Sequence, residues 1–196
     1  YLRTQIAARR LRAVNYSHPR WRELVEKPLP CWSRPKLRLN LLALGDVGST
    51  LLVGLRLLGG EVLESIGICD LDENMARRWE FEINQVSRPG EYDSLPRVEV
   101  ITPEELFAGD AFVFCASKGL PPVGSQVADV RMAQFEANAA IVGHYARQAR
   151  AKSFQGLFAV VSDPVDPLCK TALLESNRGP AGEYDGQGLL PEQIQG

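Results

Sequence analysis

A chain of 196 residues with 45% apolar content can bury one substantial core and is short for two domains of ordinary size. No apolar run reaches the roughly 18 residues of a membrane span, and no charged start with an apolar stretch and small-residue cleavage site opens the chain. A cytoplasmic protein without a membrane partner is expected. The net charge of −2 hides an asymmetry: residues 1–38 hold ten Lys or Arg against two acids, leaving twelve bases and twenty-two acids for the rest. Such a basic arm lacks the repeated aromatic and glycine pattern of a nucleic-acid module, so it is expected to lie on acidic surface such as Glu61, Glu64, Asp72 and Glu73. Cys31, Cys69, Cys115 and Cys169 are widely spaced and form no CxxC or Cys/His cluster, which predicts reduced thiols and no metal site.

In chain order, Thr4 to Val14 has a helical pattern, and Pro19, Pro28, Pro30 and Pro35 mark a linker. Residues 1–36 are therefore a basic extension, and the fold proper occupies 37–196. Five apolar, β-rich runs follow: Leu37 to Leu44, Val62 to Cys69, Val98 to Ile101, Ala111 to Cys115 and Leu157 to Ser162. Helix-period segments separate them. Strands apolar on both faces need helices on both sides, which predicts a doubly wound α/β domain with a parallel sheet. Asp129 to Ala151 is the longest helix, with Met132, Phe135, Ala139, Val142, Ala146 and Ala149 in one apolar stripe. Gly179 to Gly188 is expected as a surface loop.

The chemistry concentrates after the first strand. Ala43, Gly45, Asp46, Val47 and Gly48 form a dinucleotide fingerprint with alanine in the first glycine position, between a strand and an apolar helix. Gly45 would admit a pyrophosphate to the backbone, Gly48 would let the helix pack closely, and the helix N-terminus would offer free N–H groups. Asp70 ends the second strand 22 residues after Gly48, where a carboxylate can accept both hydroxyls of an adenosine ribose. A 2′-phosphate would be repelled there, and no Arg follows immediately to receive it. The cofactor expected is NAD.

Three further segments resemble the lactate and malate dehydrogenases. Asp110 to Ser117 is similar to the fourth strand and TAG turn of that family, with Cys115-Ala116-Ser117 as the turn; Arg131 with Asn138 is similar to its Arg-x6-Asn helix; and Ser162-Asp163-Pro164-Val165-Asp166 is similar to its SNPVD turn. Leu189 to Gly196 resembles the start of a sixth strand. The resemblance implies a Rossmann fold of strand order 3-2-1-4-5-6, with the ligand crevice between the carboxyl ends of strands one and four. It implies cofactor contacts at Cys115, Ala116, Ser117 and Asn138, a catalytic Arg131 on a closing loop that polarises the substrate carbonyl, and a substrate contact at residue 163. The implied substrate is a small 2-oxo or 2-hydroxy acid, and the implied assembly a homo-oligomer. Leu168, Ala172, Leu173, Leu189 and Leu190 are the apolar groups expected to lie open for pairing.

Three departures stand out. The TAG turn has changed, the loop from Ser117 to Arg131 is about four residues longer and contains Pro121, Pro122 and Gly124, and Asp163 replaces the family's asparagine. An ionised aspartate only accepts hydrogen bonds, whereas the asparagine donates. Only Lys118 and Gln126 offer a polar side chain of suitable length at the loop position that selects substrate, so lactate and malate types are not separated. The family's proton donor is a histidine held by an aspartate in the other half of the chain; here only His18 and His144 exist, in the linker and in the long helix. The chain is thus expected to correspond to the NAD-binding half of such an enzyme and to be inactive alone. No tyrosine has Lys four residues on, which argues against a short-chain dehydrogenase, and a methyltransferase would not show Arg131, Asn138 and the DPVD turn together. A non-catalytic NAD-binding or interaction module is the alternative.

Overall fold

The computed structural model describes residues 1–7, 14–26, 36–91, 94–118 and 129–196. The chain forms two units, 1–35 and 36–196. Among its described residues, the first holds two short helices, α1 (Leu2–Ala7) and α2 (Trp21–Glu26). The helix expected from Thr4 begins two residues earlier, and its part from 8 to 13 lies outside the described residues, as do Cys31, Pro121, Pro122, Gly124 and Gln126. The proline spacing suggested no helix at 21–26. Tyr16 packs on Trp21 at 4.7 Å between ring centroids, and the Arg22 guanidinium lies 5.1 Å from the Trp21 ring.

In the second unit, strands and helices alternate: β1 (Leu37–Leu42), α3 (Asp46–Leu58), β2 (Leu63–Cys69), α4 (Glu73–Asn84), β3 (Arg97–Val100), β4 (Ala111–Phe114), α5 (Val130–Ala151), β5 (Leu157–Val160), α6 (Val165–Ser176) and β6 (Ile194–Gln195). All six strands are parallel, in the order β3-β2-β1-β4-β5-β6. This is the doubly wound order that the family resemblance implies. The expected sixth strand is shorter than Leu189 to Gly196: a turn of 3₁₀ helix at Pro191–Gln193 precedes it, and only Ile194 and Gln195 pair with β5.

Side-chain alternation along the strands divides the core in two. Leu39, Leu41, Val113 and Cys115 pack with Leu52 of α3 and Ala76 and Ile83 of α4. Leu42, Phe112, Phe114, Phe158 and Val160 face the other way, against Val142, Ala146 and Ala149 of α5 and Leu168 and Ala172 of α6. The helices after β1 and β4 therefore leave on opposite faces, which opens a crevice at the carboxyl ends of those two strands. The stripe predicted along α5 is core from Phe135 onward, while Met132 is exposed.

Among the buried polar groups, Asn40 and Arg56 serve the backbone. Asn40, within β1, has no exposed surface and donates through Nδ2 to the carbonyls of Glu105 and Leu106. Arg56 reaches from α3 to the carbonyls of Pro96 and Val86, and burial lowers the pKa of its guanidinium. Both tie irregular backbone to regular elements, where an unpaired carbonyl would be costly. The Gly179 to Gly188 loop is likewise tethered, by the bidentate pair of Arg150 with Asp185 at 2.8 and 2.6 Å.

One expectation is corrected here. Leu168, Ala172 and Leu189 are essentially inaccessible to solvent and Leu173 and Leu190 are half-buried, because α6 folds onto α5 and the tail returns to β5. They offer no open patch for self-association. Among the described residues, no helix is long and apolar enough to cross a membrane.

Candidate functional site

The turn from β1 to α3 is shaped by what its residues lack. Ala43 adopts φ 72°, in the left-handed region, at the place where the fingerprint ordinarily has glycine. Its carbonyl approaches α3 so closely that a Cβ on Gly48 would stand 1.9 Å from the Ala43 oxygen and 3.4 Å from Cβ of Cys115. Gly48 is therefore the residue that lets the helix meet the strand. At Gly45, by contrast, a Cβ would meet nothing within 4 Å. That open space lies where the backbone would receive a phosphate. Gly45 precedes the helix without a side-chain cap, and the exposed Asp46 and Val47 open it, leaving first-turn N–H groups for an anion. The Asp46 carboxylate in the first turn interacts favourably with the helix dipole and so offsets part of its attraction for an anion.

Asp70 follows β2 and is half-buried. One carboxylate oxygen accepts the Leu44 N–H at 2.6 Å and the other the Asp72 N–H at 2.9 Å. These bonds orient the carboxylate beside the glycine turn and leave lone pairs for two hydroxyls. Asp72, which caps α4 through the N–H groups of Asn74 and Met75, and Glu73 add negative charge next to it. The arrangement suits a neutral diol and opposes a 2′-phosphate. In shape and donor set the residues present fit a dinucleotide.

The second group lies at the carboxyl ends of β4 and β5. Asn138, on α5, has no exposed surface; its Nδ2 donates to the Asp163 carbonyl at 2.8 Å and to Ser117 Oγ at 3.3 Å, and its Oδ1 accepts the Lys118 N–H at 2.9 Å. Ser162 donates to the Ala116 carbonyl at 2.6 Å. Asn138 thus locks the β4 turn to the β5 turn. Ser162 is a member of this lock that the motif comparison left without a role. Cys115 is buried, and desolvation pushes its thiol pKa up to about 11, so it is a packing group at neutral pH. Ala116 and Ser117 continue the turn toward the solvent.

Arg131 stands in the first turn of α5, exposed, and Asp163 in the turn after β5. Both line one cavity of about 510 Å³ between the starts of α5 and α6, with Met132, Phe135 and Val165 as its apolar wall. The structure therefore brings together Arg131 and Asp163, the two residues expected at substrate. His144 is exposed on α5, bonded to Gln148 at 2.9 Å, and does not line that cavity.

Fold and turns together define a doubly wound α/β domain with a Rossmann-like parallel sheet. Comparison with protein-family models and with curated proteins finds no match. Among solved structures, the chain is similar to the minor L-lactate dehydrogenase of Enterococcus mundtii in its ligand-bound form, at TM-score 0.62 and 22% identity, over 77% of this chain and 45% of that one. It is also similar to MGS-M5, a lactate dehydrogenase from a Medee basin deep-sea metagenome library, at TM-score 0.57 and 19% identity, over 73% and 43%. The chain has the fold of the N-terminal part of these lactate dehydrogenases and spans less than half of their length.

Proposed function

We propose that this chain is the NAD-binding part of a dehydrogenase that moves hydride between a nicotinamide cofactor and a small 2-oxo or 2-hydroxy acid. The observation that carries the reading is the pairing of Asp70 with the glycine turn. A carboxylate held by the Leu44 N–H stands next to an open backbone at Gly45 and a close-packed Gly48. Gly45 and the first N–H groups of α3 would hold the pyrophosphate, and Asp70 the adenosine ribose. Bound NAD would supply the hydride acceptor or donor. Arg131, from the cavity wall, would donate to the substrate oxygen and stabilise charge developing on it. Asn138 and Ser162 would hold the two turns at fixed separation while this happens.

A second reading, a dinucleotide-binding module without turnover, is favoured by Asp163, whose ionised side chain cannot donate to a substrate oxygen. Calorimetric titration separates the cofactor assignment from its alternatives: NADH binds and NADPH binds much more weakly, whereas equal affinities remove the role given to Asp70. NADH fluorescence then distinguishes the two readings. A shift in the emission of bound NADH on adding a 2-oxo acid, without its oxidation, supports the dehydrogenase part, and no shift supports the module.

A further inference from the structure

The cavity between α5 and α6 has an unusual polar lining for a site that takes a simple acid. Among the described residues, its charged side chains are those of Asp129, Asp163 and Asp166 against a single Arg131. Asp129 is committed, since its carboxylate caps α5 by accepting the Met132 N–H at 3.0 Å. The side chains of Arg131, Gln134, Asp163 and Asp166 make no hydrogen bond or ion pair with any described residue. Four uncommitted polar groups therefore face one cavity, and their chemistry is complementary in only one way. Carboxylates accept and repel anions, while a guanidinium donates and attracts them.

A plain 2-oxo or 2-hydroxy acid satisfies Arg131 and leaves the excess carboxylates unanswered. The volume of about 510 Å³ also exceeds what a three-carbon acid fills and lies within the range of sites for larger small molecules. We propose that this cavity selects an acid that also carries an ammonium group, its carboxylate or reacting oxygen toward Arg131 and its cationic nitrogen toward Asp163 and Asp166. The apolar wall of Met132, Phe135 and Val165 would cover the carbons between those two ends. This rests on the reading of the cavity as the small-molecule site of the proposed dehydrogenase, and narrows its substrate class.

The test compares 4-amino-2-hydroxybutyrate with 2-hydroxybutyrate, which differ by one ammonium group, by amide chemical-shift titration of the full 196-residue chain. The amino compound is expected to bind about fivefold more tightly, the upper range for an exposed ion pair, and its advantage should shrink as salt is added. Asp163→Asn should remove most of that advantage while leaving NADH affinity unchanged. Equal or tighter binding of the plain acid overturns the proposal, as does a preference that survives in the double variant Asp163→Asn with Asp166→Asn. NADH binding with no binding of either acid also overturns it and spares the cofactor assignment. An ammonium preference without NADH binding supports it and removes the cofactor assignment instead.

Discussion

The turn after β1 and the turn after β5 join a strand to a helix at the same end of one sheet, yet they are held by opposite means. The first depends on missing atoms: Gly48 has no Cβ to strike the Ala43 carbonyl, and Gly45 leaves open space above the backbone. The second depends on added ones, because Asn138 and Ser162 fill it with hydrogen bonds that cross between β4 and β5. A turn shaped by glycine tolerates no added bulk at its contact point. A turn shaped by a buried amide tolerates no loss of a donor.

The largest effect expected is that of Gly48→Val, which places carbon atoms inside the contact distance of the Ala43 carbonyl. It should cost about 3 kcal/mol or more of stability and abolish NADH binding, as followed by urea unfolding and cofactor titration. Normal stability and binding would show that α3 need not meet β1 so closely. Asn138→Ala should cost about 2–3 kcal/mol, since it leaves the Asp163 carbonyl and the Lys118 N–H without their partner. Amide exchange should quicken at residues 116–118 and 163 while the β1 turn stays protected. If protection falls equally in both turns, they are not independent units.

Ala43→Gly should act in the opposite direction. Relief of the left-handed conformation at φ 72° outweighs the greater chain entropy of glycine, for a gain of roughly 0.5–1 kcal/mol. A lower unfolding midpoint in urea would contradict that conformation.

The smallest effect concerns acid. Arg150 holds the Asp185 carboxyl at a pKa of about 2, first through the side-chain hydrogen bond and then through the Gln187 N–H. A pKa depressed in the folded state means that this stabilisation is present above the unfolded value of about 3.9 and is lost as pH falls from there toward 2. Asp185→Asn should flatten that part of the acid unfolding profile and leave the profile above pH 5 unchanged. The pair lies far along the chain from both turns, so cofactor binding should not respond.

Much of the fold is legible in the amino-acid sequence. The five apolar runs fall on β1 to β5 because a strand buried on both faces must be apolar almost throughout, and that constraint is written locally. Gly45, Gly48 and Asp70 were legible for a related reason: a tight turn and a carboxylate at a set distance are demands on single residues. The pattern was silent on Asn40 and Arg56, whose partners lie 65 and 40 residues away and satisfy particular carbonyls rather than a periodicity. The helix at Trp21–Glu26 was obscured by the prolines around it.

Amino-acid order alone thus determined the strand and helix alternation, the handed sheet that follows from it, and the glycine turn with its acidic partner. Tertiary structure alone decided that Asn138 is a lock, that Leu168, Ala172 and Leu189 are core, and that Arg131 shares a cavity with Asp163 and Asp166. The physical reason is range. Periodicity and turn chemistry act between neighbours in the chain, whereas burial and hydrogen-bond pairing are settled only when distant segments meet.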